Sequence, residues 1–280
     1  MAVQGVVEMV SAAMELPATP RYSVDLIADR DWVAEVQRGW RPILIDDLML
    51  RFPWHSAADV SAYLDSQGVK DAPKYELTLA GGMAFGTGEH ATTRLCCSWL
   101  RRQIGQEEGA NAGVRVMDYG AGSGVLGLAA LVFGAAEAYG VEIDPDSISA
   151  AHENAALNSL PGFKCFLPAP TASGPSAAIE ADIKFAQRLR GAAESGEGLA
   201  QPLPPECGSF DMVVANILAG PLVRLAPEIG RLCRPGGQLA LSGILEPQAA
   251  MIQEAYAPFF EDLSVEANDR GWILVTGRRM

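Results

Sequence analysis

Between Val114 and Gly277, short apolar runs alternate with amphipathic stretches of helical length, and this alternation constrains the chain more than any other feature. The runs Val114–Tyr119, Ala138–Ile143, Lys164–Leu167, Asp211–Ile217, Gln238–Ile244, Leu263–Ala267 and Trp272–Gly277 read as seven strands. Helical patterns fall between most of them, over Val125–Phe133, Pro145 to about Leu157, 221–233 and 247–258. Strands separated by a helix cannot pair through a tight turn; each needs a crossover, which builds βαβ units on a parallel sheet. The last two runs are joined only by Asn268-Asp269-Arg270-Gly271, a hairpin-type turn, so the sheet should end in an antiparallel pair. The expected fold is α/β, a doubly wound and mainly parallel seven-stranded sheet.

Local chemistry supports the helix assignments. Asp144 can cap free N–H groups, and Pro145 suits a first helical position because its missing N–H would have had no partner there. Ile148, Ala151 and Ala155 then share one face. Leu222, Leu225, Ile229 and Leu232 do the same in the next helix, but Pro227 lies among them, which predicts a kink or two short helices. Two regions differ from this rhythm. Residues 1–77 hold Trp32, Trp40 and Trp54 and short apolar runs, and read as a small α+β lobe preceding a main domain over 78–280. Residues 168–208 are rich in Gly, Pro, Ala and Ser without a period and read as a disordered insertion, with a short helix near Ile179–Leu189.

Composition removes several classes. With 280 residues, 49% apolar and 20% charged, the chain can bury a full core, so disorder throughout is excluded. Five cysteines (Cys96, Cys97, Cys165, Cys207 and Cys233) form no CxxC pair, which argues against a disulfide framework and a structural zinc. A net charge of −13 leaves no general attraction for a nucleic-acid backbone, so direct nucleic-acid binding is not expected. The most apolar stretch, Val125–Val141, contains Glu137 and three glycines and is too short to span a bilayer. The first residues carry Glu8 and Glu15 and no basic leader. A cytoplasmic protein is expected, with an organelle such as the mitochondrion left open.

The chemistry concentrates at Val116-Met117-Asp118-Tyr119-Gly120-Ala121-Gly122-Ser123-Gly124, a strand running through G-x-G-x-G into a helix. Glycines let a ligand approach the backbone, and the helix start presents unpaired N–H groups. Glu142 follows at the end of the next strand, where a carboxylate can accept both hydroxyls of a ribose. A dinucleotide fingerprint beginning at Gly120 would need glycine where Val125 stands, and one beginning at Gly122 starts too deep in the turn. A nucleoside cofactor is implied. The G-x-G-x-G spacing and the Asp144-Pro145 helix start resemble the S-adenosyl-L-methionine-dependent methyltransferases more than an NAD-dependent oxidoreductase, which is the weaker reading.

Two further motifs stand in order around this loop. Met83-Ala84-Phe85-Gly86-Thr87-Gly88-Glu89-His90-Ala91-Thr92-Thr93-Arg94 lies upstream, and Val213-Val214-Ala215-Asn216-Ile217-Leu218-Ala219-Gly220-Pro221-Leu222 lies downstream. Together with the glycine loop and Leu241-Ser242-Gly243-Ile244-Leu245, they closely resemble the PrmA family, the methyltransferases of ribosomal protein L11. The motifs span about 76–280, with a weaker likeness over Trp32–Trp54. This resemblance implies a Rossmann-like class I methyltransferase fold. It also implies S-adenosyl-L-methionine as cofactor and methylation of lysine ε-amines, or an N-terminal α-amine, on a protein substrate. That substrate would be ribosomal protein L11 or a similar protein; another protein, such as an electron-transfer flavoprotein, is the alternative.

The resemblance carries over residue by residue. Thr93 lies beside the cofactor, Gly120 and Gly122 form the loop, and Glu142 stands where the family usually has aspartate, one methylene longer. Asn216 belongs to the N-I-L-A turn near the methyl donor and is the expected catalytic residue. Asp118 is expected to order the glycine loop by backbone hydrogen bonds. No metal ligand is expected. Simpler roles stand beside these: Thr92 or Thr93 as helix N-cap before the apolar face Leu95, Cys96, Trp99 and Leu100, His90 as a loop histidine, and His55 and His152 as packing or surface groups. The tryptophans of the small lobe read as core, and the lobe looks shortened.

Overall fold

The structure, a computed structural model, describes residues 3–14, 16, 18–23, 39–80, 88–104, 113–168, 201–204 and 208–280. The chain divides into two compact units, Met1–Trp40 and Arg41–Met280. In the first, helix α1 spans Val3–Ala13 and leaves Val6, Met9 and Val10 exposed. Residues 41–77, which the sequence groups with that unit as one lobe, belong to the second.

The second unit opens with a three-stranded sheet: β1 (Ile43–Ile45), β2 (Leu48–Arg51) and β3 (Tyr75–Thr78), in that order. The first two form an antiparallel hairpin, and β3 returns parallel to β2 after helix α2 (Ala57–Ser66). A capping box starts α2, with the Ser56 hydroxyl accepting from the Asp59 N–H while the Asp59 carboxylate accepts from the Ser56 N–H. Helix α3 spans Ala91–Ile104, and its Arg101 grips the Asp47 carboxylate of the hairpin turn with two bonds of 2.7 and 2.8 Å. The guanidinium holds that carboxyl below its ordinary pKa.

The large sheet contains β4 (Arg115–Tyr119), β5 (Glu137–Val141), β6 (Phe163–Phe166), β7 (Phe210–Asn216), β8 (Cys233–Leu245), β9 (Phe260–Asp269) and β10 (Trp272–Arg279). The spatial order is β6-β5-β4-β7-β8-β10-β9, parallel except that β10 runs antiparallel to both β8 and β9. This is the doubly wound α/β sheet read from the sequence. Arg270 and Gly271 both take positive φ, 55° and 86°, between the paired residues Asp269 and Trp272, so the final hairpin closes with the turn hand that matches strand twist.

Helices α4 (Val125–Phe133), α5 (Pro145–Leu157), α6 (Ala219–Leu232) and α7 (Ala249–Tyr256) complete the layers. Leu222 and Ile229 of α6 and Ile252 and Tyr256 of α7 pack with Met117, Tyr119, Val213, Leu239 and Leu241 on one face of the sheet. The strand period of two then sends Val116 and Asp118 to the opposite face. Asp144 caps α5 through the N–H groups of Asp146 and Ser147, with Pro145 at the first position, as expected. Pro227 does not divide its segment: α6 is one helix, its Leu222, Ala226, Ile229 and Leu232 all buried. Burial of that stripe outweighs the loss of one helical bond.

The expected insertion over 168–208 and its helix near Ile179–Leu189 lie outside the described residues, apart from 168, 201–204 and 208. At its far end Leu203 joins the core and its N–H donates to the Leu167 carbonyl at 2.8 Å. Residues 83–87 of the upstream motif, Trp32 and Cys207 also lie outside the described residues. Cys96, Cys97, Cys165 and Cys233 are free and buried. Among the described residues no His, Cys, Asp or Glu cluster could hold a metal ion, and no helix is long and apolar enough to cross a membrane.

Candidate active site

From β4 the chain winds outward to β5 and β6, then returns to the other side of β4 as β7. That reversal opens a crevice at the carboxyl ends of β4 and β7, the place where open α/β sheets bind ligands. Gly120, Gly122 and Gly124 leave β4 with φ of 83°, 53° and 79°. Gly120 must lack a side chain, because a Cβ there would meet Ile217 Cγ2 at 2.3 Å. Gly243, at the end of β8, is pressed from the other side; its Cβ would fall 2.2 Å from the Ile217 carbonyl oxygen. The Asn216-Ile217 turn is thus seated between two glycines from neighbouring strands.

Three side chains hold the loop and the helix start that follows it. Asp118 Oδ2 accepts the Gly127 N–H at 3.0 Å, in the first turn of α4 rather than in the loop that the sequence reading expects it to order. Its Oδ1 is buried and has no hydrogen-bond partner among the described residues. Desolvation, with Glu142 nearby, pushes the Asp118 pKa up to about 7. Glu142 lies at the crevice between β4 and β5, where Oε2 accepts the Gly122 N–H at 2.9 Å. Its Oε1 accepts from Ile143 at 2.7 Å and from Asp144 at 3.1 Å. Burial raises its pKa, and these three N–H groups oppose the rise. A carboxylate has about four acceptor positions, so a further donor finds room at Oε2 only.

The third holder is Asn154 of α5, which donates from Nδ2 to the Ser123 carbonyl at 2.9 Å. The sequence reading passed over it. The signal was present: Asn154 is a polar residue three positions after Ala151, on the apolar face of α5, and it is only 3% exposed.

Across the crevice, half-buried Asn216 ends β7 and directs Nδ2 toward Thr93 Oγ1 in a long hydrogen bond of 3.4 Å. Thr93 is buried in the first turn of α3. Neither Thr92 nor Thr93 is the N-cap; that position falls to His90, whose Nδ1 accepts the Thr92 N–H at 3.3 Å. His90 also meets Trp272 edge-on, with ring centroids 4.7 Å apart. Thr93 is free of capping because the cap sits three residues earlier, which leaves its hydroxyl for Asn216. The other two histidines are structural. His55 Nδ1 accepts from the Phe52 N–H, and His152 Nε2 from the Cys165 N–H. Gly120, Gly122, Asp118, Glu142, Asn216 and Thr93 therefore gather at one sheet end.

The model of the ribosomal protein L11 methyltransferase (PrmA) family matches residues 1–280, further than the segment carrying the sequence motifs. Over 278 residues the chain is 35% identical to the ribosomal protein L11 methyltransferase of Nitrosomonas europaea, covering 99% of this chain and 74% of that one. It is 38% identical over 263 residues to the protein of the same name from Pseudomonas paraeruginosa, covering 93% and 71%. The crystal structure of a ribosomal protein L11 methylase from Lactobacillus delbrueckii subsp. bulgaricus superposes with a TM-score of 0.60 at 26% identity, covering 86% of this chain and 99% of that one. With a family model matched over residues 1–280 and relatives 35–38% identical over 93–99% of it, the chain belongs to the ribosomal protein L11 methyltransferase (PrmA) family.

Proposed function

We propose that this methyltransferase moves a methyl group from S-adenosyl-L-methionine to lysine ε-amines of ribosomal protein L11, with an N-terminal α-amine as a further acceptor. One observation carries the reading: a glycine loop, a carboxylate and an amide stand at the carboxyl ends of the neighbouring strands β4, β5 and β7. The donor set suits this cofactor. Glu142 Oε2 has an acceptor position for a ribose hydroxyl, and the glycines allow close approach to the loop. When bound, the cofactor supplies an electrophilic methyl on a sulfonium.

The protein's own contribution is alignment. With Nδ2 turned to Thr93, Asn216 offers Oδ1 as acceptor for an amine N–H, which aims the nitrogen lone pair. The amine must reach the site neutral, since an ammonium has no lone pair, and no described carboxylate or imidazole beside Asn216 is assigned as its base. Residues 1–77 are proposed to help recognise the protein substrate, and the cytoplasm, where ribosomal proteins are made, is the proposed compartment.

Incubation with labelled S-adenosyl-L-methionine and either purified ribosomal protein L11 or cell lysate, followed by mass spectrometry, tests this. Methylated lysines on L11 are expected. Label on a different protein instead would replace the substrate, and no label anywhere would overturn the assignment.

A further inference from the structure

Asn154 and Asn158 lie one turn apart on the same side of α5, at its end and C-cap, and both address the end of β3. Asn158 Oδ1 accepts the Thr78 N–H at 2.8 Å, and its Nδ2 donates to the Thr78 carbonyl at 2.7 Å. This is the two-bond exchange that a neighbouring strand would make with one residue. Asn154 Oδ1 accepts the Ala80 N–H at 2.7 Å. Between them, the Leu79 N–H turns the other way and donates to Arg51 of β2 at 2.8 Å. The spacing explains the match. Four helical residues rise about 6 Å, and two strand residues about 6.7 Å, so an i, i+4 amide pair reads alternate residues of an extended chain.

Asn154 has a second task, because its Nδ2 holds the Ser123 carbonyl inside the glycine loop. One amide, 3% exposed, therefore joins the loop to the strand end from which the chain runs on toward Thr93. It must accept on one side and donate on the other. Aspartate could not donate to Ser123, and leucine could do neither.

Resting on the cofactor assignment above, we propose that Asn154, seconded by Asn158, is a positioning residue that fixes the Gly122–Gly124 backbone in its cofactor-binding form by tying it to the end of β3. It acts through the loop.

The test is calorimetric titration of S-adenosylhomocysteine into the parent chain, Asn154→Asp and Asn158→Ala, with Tm measured for each. The parent should give heat; Asn154→Asp should bind roughly tenfold more weakly and Asn158→Ala a few-fold more weakly, each with a cooperative melt well above the titration temperature. A merely structural role would lower Tm and leave Kd unchanged, and that result overturns the proposal. If Asn154→Asp does not fold, unchanged affinity in Asn158→Ala overturns it alone. A parent that gives no heat refutes the cofactor assignment and this proposal with it, whereas heat with equal affinity in parent and variants refutes this proposal only.

Discussion

Asn216 ends β7 with, among the described residues, only a long bond to Thr93 holding its amide, so the side chain does little for the fold. Asn216→Ala should therefore cut turnover about a hundredfold, the scale of losing a positioning contact, while Tm moves by no more than a few degrees. Unchanged turnover would reject the role given to it. Glu142 combines two tasks, because the carboxylate that faces the crevice also receives three backbone N–H groups. In Glu142→Gln the amide NH2 must face one of those donors. We expect S-adenosylhomocysteine to bind about ten- to a hundredfold more weakly, since bonds to a charged group contribute roughly 1.5–3 kcal/mol. Asp118 governs pH dependence. Its folded pKa of about 7 stands above the ordinary 3.8, so its contribution to stability is present below pH 4 and is lost as pH rises through 7. Glu142, also raised, adds in the same direction. Asp118→Asn should thus show a smaller fall in Tm between pH 5 and pH 8 than the parent; an equal fall would place the titration elsewhere.

At the scale of elements, the close approach of the Asn216-Ile217 turn to β4 and β8 is what shapes the crevice. Gly243→Ala introduces a Cβ 2.2 Å from a backbone oxygen at φ of 80°. Strain and overpacking together should destabilise the fold by roughly 2–5 kcal/mol. Gly236→Ala is the control, with φ of 73° but nothing nearer than 3.8 Å, and should cost only about 1 kcal/mol. Comparable denaturation midpoints for the two would remove the packing argument. The strand-helix alternation, the Asp144-Pro145 cap and the final hairpin were legible because each depends on neighbours in sequence. At Pro227 the sequence allowed a kink or two short helices and the structure gives one helix: whether a helix survives a proline depends on what its buried face touches, and that is not local.

For the whole molecule, a ligand that binds the folded state alone stabilises it by about 2.7 kcal/mol at a hundred times its Kd. For a chain of this size S-adenosylhomocysteine should then raise Tm by roughly 5–10 °C, and a Tm that does not move would contradict a folded cofactor site. The sequence by itself determined the sheet type, the position of the glycine loop and the strand ends at which Glu142 and Asn216 stand. Periodicity and turn chemistry act over a few residues, and the motifs stand in chain order. Tertiary structure alone decided how those residues are used. It turned Glu142 back onto Gly122, gave the helix cap to His90 and left the Thr93 hydroxyl to Asn216. It also set Asn154, some thirty residues past Ser123, against that loop. Hydrogen bonds between groups far apart in the chain follow from how helices and strands pack, and packing is a property of the assembled layers.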